Sequence, residues 1–149
     1  VDAGHSRRLC PARGLAGVIV ADASWVIALS DPDDPHHAAA VVLNRMTIDA
    51  VVVLHPVTLA ECLIGPASRG LLDHAAGAFR SSFEIASVDA DAPLRWAALR
   101  AGSGLRLPDS IVLDTALVGG AEAILTFDRE LAAEALDRAI ACPTGRPEG

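Results

Sequence analysis

Four short apolar runs, at residues 17–21, 51–54, 83–88 and 123–126, constrain this chain more than any other feature. Each is too short for a core helix and reads as a strand, the first two as strands buried on both faces. Stretches of helical character separate them, at residues 24–29, 35–46, 56–64, 69–81, 92–103, 108–118 and 129–135. Pro35, Pro56 and Pro108 stand at early helical positions, while Gly65-Pro66, Gly102, Gly104 and Gly119-Gly120 stand where helices should stop. Strands alternating with helices imply an α/β fold with a mostly parallel sheet covered on both faces. A run at residues 139–142 offers a short last strand.

The chain has 149 residues, enough for one domain with a sizeable core. The folded pattern is expected over residues 18–142. Residues 1–17 carry Gly, Pro, Arg and Ser with no apolar period and read as a disordered leader or a mis-assigned start, and residues 143–149 read as a tail. The apolar fraction is 52%, much of it alanine and valine, yet no stretch reaches the ~18 uncharged apolar residues of a membrane helix. Cys10, Cys62 and Cys142 are widely spaced, with no CxxC pair or Cys/His cluster, which argues against structural zinc or a disulfide framework. A reducing cytoplasm is the simpler reading.

Net charge is −7, and all 12 basic residues are arginine. That balance speaks against a general nucleic-acid binder, whose affinity comes from neutralising phosphates. It does not exclude a nuclease, because carboxylates gathered around a metal lower the total while bound cations reverse the local sign. RNA contacts would then come from local arginines such as Arg69, Arg100, Arg106 or Arg129.

In parallel α/β folds the functional crevice lies at the carboxyl ends of the strands. Asp22 follows the first strand, Asp128 follows the fourth, Asp109 opens a helix after Pro108, and Glu61 lies inside the helix after the second strand. Four carboxylates gathered there would suit a hard divalent cation, Mg²⁺ or Mn²⁺. Ser24 and Thr126 stand close enough in sequence to support such a site through their hydroxyls. The alternative for three of the acids is helix capping: Asp22 before a helix near Ser24, Asp109 after Pro108, Asp128 before Arg129. Glu61 does not fit that alternative, since it sits mid-helix beside Leu59, Cys62 and Leu63. Asp114 is a fifth acid, but five positions beyond Asp109 it points away from it on a helix, an outer-rim or structural place with at most a water-mediated contact to a second metal.

The segments Val20-Ala21-Asp22-Ala23-Ser24, Thr58-Leu59-Ala60-Glu61, Arg106-Leu107-Pro108-Asp109-Ser110 and Leu125-Thr126-Phe127-Asp128-Arg129 together resemble the PIN-domain ribonucleases. More narrowly, they resemble the VapC-type toxins of bacterial VapBC toxin–antitoxin pairs. The likeness runs from about Val18 to Leu136. It implies a three-layer α/β/α sandwich around a five-stranded parallel sheet, and Mg²⁺- or Mn²⁺-dependent hydrolysis of RNA. It also implies homodimerisation and silencing by a cognate VapB-like antitoxin. The family's acids carry over to Asp22, Glu61, Asp109 and Asp128, as catalytic residues and metal ligands, and its small hydroxyl position to Ser24. Asp114 departs from the pattern, standing where the family commonly has a small apolar residue; the long leader departs from it too.

Two readings stand beside this one: a non-catalytic PIN-like module that sequesters RNA or protein, and a nuclease for structured DNA. His36-His37 reads as a solvated helix start, and His55 as a loop histidine. No GxSxG, GxGxxG or P-loop pattern is present. With two Trp, three Phe and no Tyr, base stacking is not the main source of any RNA affinity, and both Trp read as packing anchors.

Overall fold

The computed structural model describes residues 14–146. Its strands are β1 (Ala16–Ala21), β2 (Asp49–Leu54), β3 (Glu84–Ile85) and β4 (Ala123–Leu125). Its helices are α1 (Ala23–Ser30), α2 (His37–Met46), α3 (Pro56–Ser68), α4 (Leu72–Ser82), α5 (Ala92–Ser103), α6 (Leu107–Gly119) and α7 (Arg129–Asp137). The sheet runs β3-β2-β1-β4 and every pairing is parallel, with Val18 opposite Val51 and Val20 opposite Ile124.

Period-two alternation along the strands builds two cores. Ile19, Ala21, Val52, Leu54, Ala123 and Leu125 face one side, where they meet Trp25, Leu43 and Leu59 of α1, α2 and α3. Val20 and Ile124 face the other side, against Val112 and Leu113 of α6 and Leu131 of α7. Helices on both faces make the expected three-layer sandwich. Because both faces are covered, β1 and β4 read as continuous apolar runs rather than as alternating ones. α6 is buried nearly all round, from Asp109 to Leu113 and again at Asp114 and Ala116.

Several expectations change. The sheet has four strands among the described residues rather than five. The expected last strand is a single parallel bridge, Ala141 against Ala123. It cannot lengthen, because Ala139 is in the left-handed region at φ 60° on one side and Pro143 lacks an N–H on the other. β1 begins at Ala16, ahead of the apolar run, with Ala16 and Gly17 paired to Asp49 and Ala50. Of the expected leader, residues 1–13 lie outside the described residues.

α2 begins at His37, so Pro35 stands outside it. Two turns hold that stretch: Asp31 Oδ1 accepts from the Asp33 N–H at 3.0 Å, and Asp34 Oδ1 from the His36 N–H at 2.8 Å. α3 continues through Gly65-Pro66 to Ser68. The proline removes one helical donor, and the last turn closes through the Ser68 hydroxyl on the Gly65 carbonyl and the Arg69 N–H on the Pro66 carbonyl. The break into α4 comes at Gly70, whose φ of +72° suits glycine.

Candidate metal centre

The strand order reverses between β1 and β4: β2 and β3 lie on one side of β1, and the chain returns to the other side for β4. Such a switch point opens a crevice at the strands' carboxyl ends. Asp22 stands there, one residue past β1, with its N–H bonded to the Leu125 carbonyl at 2.9 Å. It occupies the N-cap position of α1, yet its side chain caps nothing. Its Oδ2 instead accepts from the Ser24 hydroxyl at 2.8 Å and the Thr126 hydroxyl at 2.9 Å. Those hydroxyls in turn accept from the N–H groups of Phe127 and Asp128, each at 3.0 Å. One Asp22 oxygen is therefore fixed by both loops, and Oδ1 has no hydrogen-bond partner among the described residues.

Asp109 is buried in the first turn of α6, where the helix dipole favours a carboxylate. The N-cap there is Arg106, so Asp109 is not the cap either. Arg106 reaches both neighbouring acids, Nε lying 3.3 Å from Asp109 Oδ2 and Nη2 3.6 Å from Asp128 Oδ2. Asp128 alone caps, its Oδ1 accepting from the Leu131 N–H at 2.9 Å. Glu61 approaches from α3, half-buried.

The electrostatics tie the group together. Burial pushes the Glu61 carboxyl above its ordinary pKa, and the Asp22 and Asp109 charges push the same way against Arg106. Burial also raises Asp109, helped by Asp128 and Asp22 and opposed by Arg106. Four acids thus feel one another with one guanidinium between two of them. The donor set is all oxygen, and its mutual repulsion is what a hard divalent cation relieves. Among the described residues no three acidic, histidine or cysteine groups stand close enough to share one ion. The carboxylates lean instead toward their own partners, hydroxyls for Asp22, Arg106 for Asp109 and Asp128.

Asp114 is placed elsewhere. Its Oδ1 accepts from Arg95 Nε at 2.8 Å, and its Oδ2 from Arg95 Nη2 and the Trp96 indole N–H, both at 3.1 Å. Arg95 also grips Asp89 at 2.7 Å, so its guanidinium ties α5 and the loop before it to α6. His55 is buried and caps α3, its Nδ1 accepting from the Val57 N–H at 3.0 Å. Burial lowers its pKa, with Asp114 opposing, in keeping with an imidazole whose Nδ1 must stay unprotonated.

Two features of the site were not read from the sequence, although a signal for one of them was present. Arg106 was visible as an RNA contact, but its i, i+3 spacing to Asp109 already announced the ion pair. His36 is no free helix start; its ring stacks on Phe127 at 4.5 Å between centroids and 8° between planes. No local signal joins those two residues.

The PIN domain family profile matches residues 19–135. No curated protein matches the sequence. Among solved structures, VapC20 of Mycobacterium tuberculosis, described as a toxin cleaving the sarcin–ricin loop, superposes with a TM-score of 0.63 at 22% identity, over 78% of this chain and 94% of that one. A toxin–antitoxin complex from Klebsiella pneumoniae gives 0.62 at 24% identity, over 76% and 90%. PAE2754 from Pyrobaculum aerophilum gives 0.55 at 20%, over 81% and 87%. Identities this low carry the fold alone. The profile, however, spans most of the chain and contains all four acids, and on that ground the chain belongs to the PIN domain family.

Proposed function

We propose that this PIN domain is an endoribonuclease dependent on Mg²⁺ or Mn²⁺, and the toxin of a VapBC-type toxin–antitoxin pair. The observation that carries the reading is the charge-coupled group of Asp22, Glu61, Asp109 and Asp128 at the switch-point crevice. The solved neighbours support it further, one being a toxin that cuts the sarcin–ricin loop and another a toxin–antitoxin complex.

In this reading the four acids are the metal ligands. A divalent ion held there supplies acidification of water and neutralisation of phosphodiester charge. Ser24 and Thr126 keep Asp22 in one orientation through Oδ2, which leaves Oδ1 without a hydrogen-bond partner among the described residues. Arg106, 71% exposed, stands over Asp109 and Asp128, placed to meet a substrate phosphate. The antitoxin and a second subunit would cover exposed apolar side chains such as Ile64, Leu71 and Leu72 on the α3–α4 face. No helix among the described residues is long and apolar enough to cross a membrane, and a toxin acting on cellular RNA works in the cytoplasm.

The test is cleavage of RNA by the purified chain with Mg²⁺ or Mn²⁺. Activity should vanish in EDTA and in the double variant Asp22→Asn, Asp109→Asn; activity that persists in both would sink the metal mechanism. One observation favours the second reading, a PIN-like module that binds without cutting: the acids are splayed onto separate partners. Calorimetry separates the two, because absence of Mn²⁺ binding at millimolar concentration favours the module.

A further inference from the structure

Beyond Asp128 the crevice continues into a recess of about 190 Å³, lined by His36, Phe127, Arg129, Thr144 and Arg146. Its floor is aromatic, the parallel His36–Phe127 pair. That pair is tied to the acid group through Phe127. Phe127 lies between Thr126 and Asp128 and donates its N–H to Ser24, while His36 is fixed by the Asp34 turn. His36 Nδ1 is buried and meets no partner among the described residues. Its rim is cationic: Arg129 and Arg146 are both exposed, and neither forms an ion pair among the described residues. Asp128 does not cancel them, since its oxygens face the Leu131 N–H and Arg106.

In a chain of net charge −7, two arginines without an ion pair among the described residues, beside a cluster of acids, are a specific arrangement. So is the aromatic floor, because the remaining aromatic pairs serve other places. Trp25, Phe79 and Phe83 pack in or against the core, and Trp96 packs against His55 while bonding Asp114. The volume falls below the ~300 Å³ of a pocket that encloses a whole small ligand. It suits one unit of a polymer that continues past it.

We propose that this recess is a nucleotide subsite, in which the base of the single-stranded RNA residue beside the scissile bond stacks at His36–Phe127 and its phosphate meets Arg129 and Arg146. The subsite rests on the ribonuclease reading for its role in choosing where RNA is cut. Every base has a face to stack, so the aromatic floor supplies affinity, and polar groups on its wall, the Thr144 hydroxyl and the His36 ring edge, discriminate among bases.

The experiment compares the wild type with His36→Ala, His36→Phe and the double variant Arg129→Gln, Arg146→Gln, each confirmed folded by circular dichroism. On RNA with Mn²⁺, His36→Ala should raise KM about tenfold with kcat nearly unchanged. His36→Phe should restore KM while altering the preferred cut sequence. The double arginine variant should lower the slope of log affinity against log salt by about 0.7 for each phosphate it no longer neutralises. Unchanged KM, cut sequence and salt slope in these variants would overturn the subsite while leaving the ribonuclease reading intact. If the wild type cuts no RNA, that reading fails, and anisotropy of a short fluorescein-labelled single-stranded RNA decides the subsite. Weaker binding by the variants than by the wild type then upholds it, and equal binding overturns it.

Discussion

Asp109 shows what the charge cluster costs the folded chain. Burial and two neighbouring acids raise its pKa, so the folded state resists its ionisation. A group shifted upward contributes stability that is full below the unfolded pKa, ~3.9, and lost as pH rises through the folded value. At neutral pH the ionised side chain is therefore a burden on the metal-free protein. Its ion pair with the largely exposed Arg106 offsets little of this. Asp109→Asn should raise the melting temperature of the metal-free protein by about 2–4 °C for each kcal/mol relieved. The gain should disappear below about pH 4, where both states are protonated. A lower melting temperature at pH 7 would contradict this. Asp128 carries two separable duties. Asp128→Ala removes the α7 cap and should cost about 1 kcal/mol in urea denaturation, whereas Asp128→Ser keeps a capping oxygen and should restore most of it. Both should lose RNA cleavage, because the lost charge rather than the lost cap is what the site needs.

At the scale of elements, the α5–α6 clamp is a sharper stabilising device than anything at the crevice. Asp114 is buried and receives three donors from Arg95 and Trp96, so Asp114→Ala should cost about 2–3 kcal/mol. Its indole donor would be left without an acceptor, and Trp fluorescence should report the loosening. Hydrogen bonds from Arg95 hold the Asp89 carboxyl down at about 2. A depressed group contributes stability present above ~3.9 and lost as pH falls through about 2. Asp89→Asn should therefore unfold with a shallower acid dependence than the wild type, the two curves converging below that value.

This element scale also separates what the sequence reveals from what it withholds. Ala92–Ser103 is readable to the residue because Gly104 ends it in the left-handed conformation, at φ 74°. α3 runs past its apparent end because Gly65-Pro66 looks like a stop, yet the helix continues two residues beyond the proline and the Ser68 hydroxyl meets the Gly65 carbonyl there. The aspartates at helix starts are ambiguous for a physical reason: capping and metal binding ask for the same residue at the same place. Only the folded arrangement shows that Asp22 gives its oxygen to two hydroxyls, while Asp128 does cap. The Phe127–His36 stack is illegible in sequence because it joins positions 91 residues apart with no periodicity between them.

For the whole molecule, parallel pairing with every strand flanked by helices leaves a crevice at one edge, and that edge follows from the strand–helix alternation, which puts the crevice at the strands' carboxyl ends. The number of strands does not, since the fifth depends on one left-handed alanine and one proline. The crevice should also govern global stability through mass action. Mn²⁺ at a hundred times its dissociation constant should stabilise the wild type by about 2.7 kcal/mol. The same addition should leave the melting temperature of the Asp22→Asn, Asp109→Asn variant unmoved. An equal shift in both proteins would mean the ion binds elsewhere.

The hydroxyl pair on Asp22 has a consequence in time as well as in space. Thr126 lies 104 residues downstream of the carboxylate it holds, and Ser24 is bonded by the Phe127 N–H. During synthesis β1, β2 and β3 emerge with their covering helices before these late partners exist. The nascent chain therefore carries Asp22, Glu61 and Asp109 for most of its translation without the strand that fixes the first of them. Competence at the crevice arrives only as the final segment docks, so a product truncated before residue 126 should be harmless to the RNA around it.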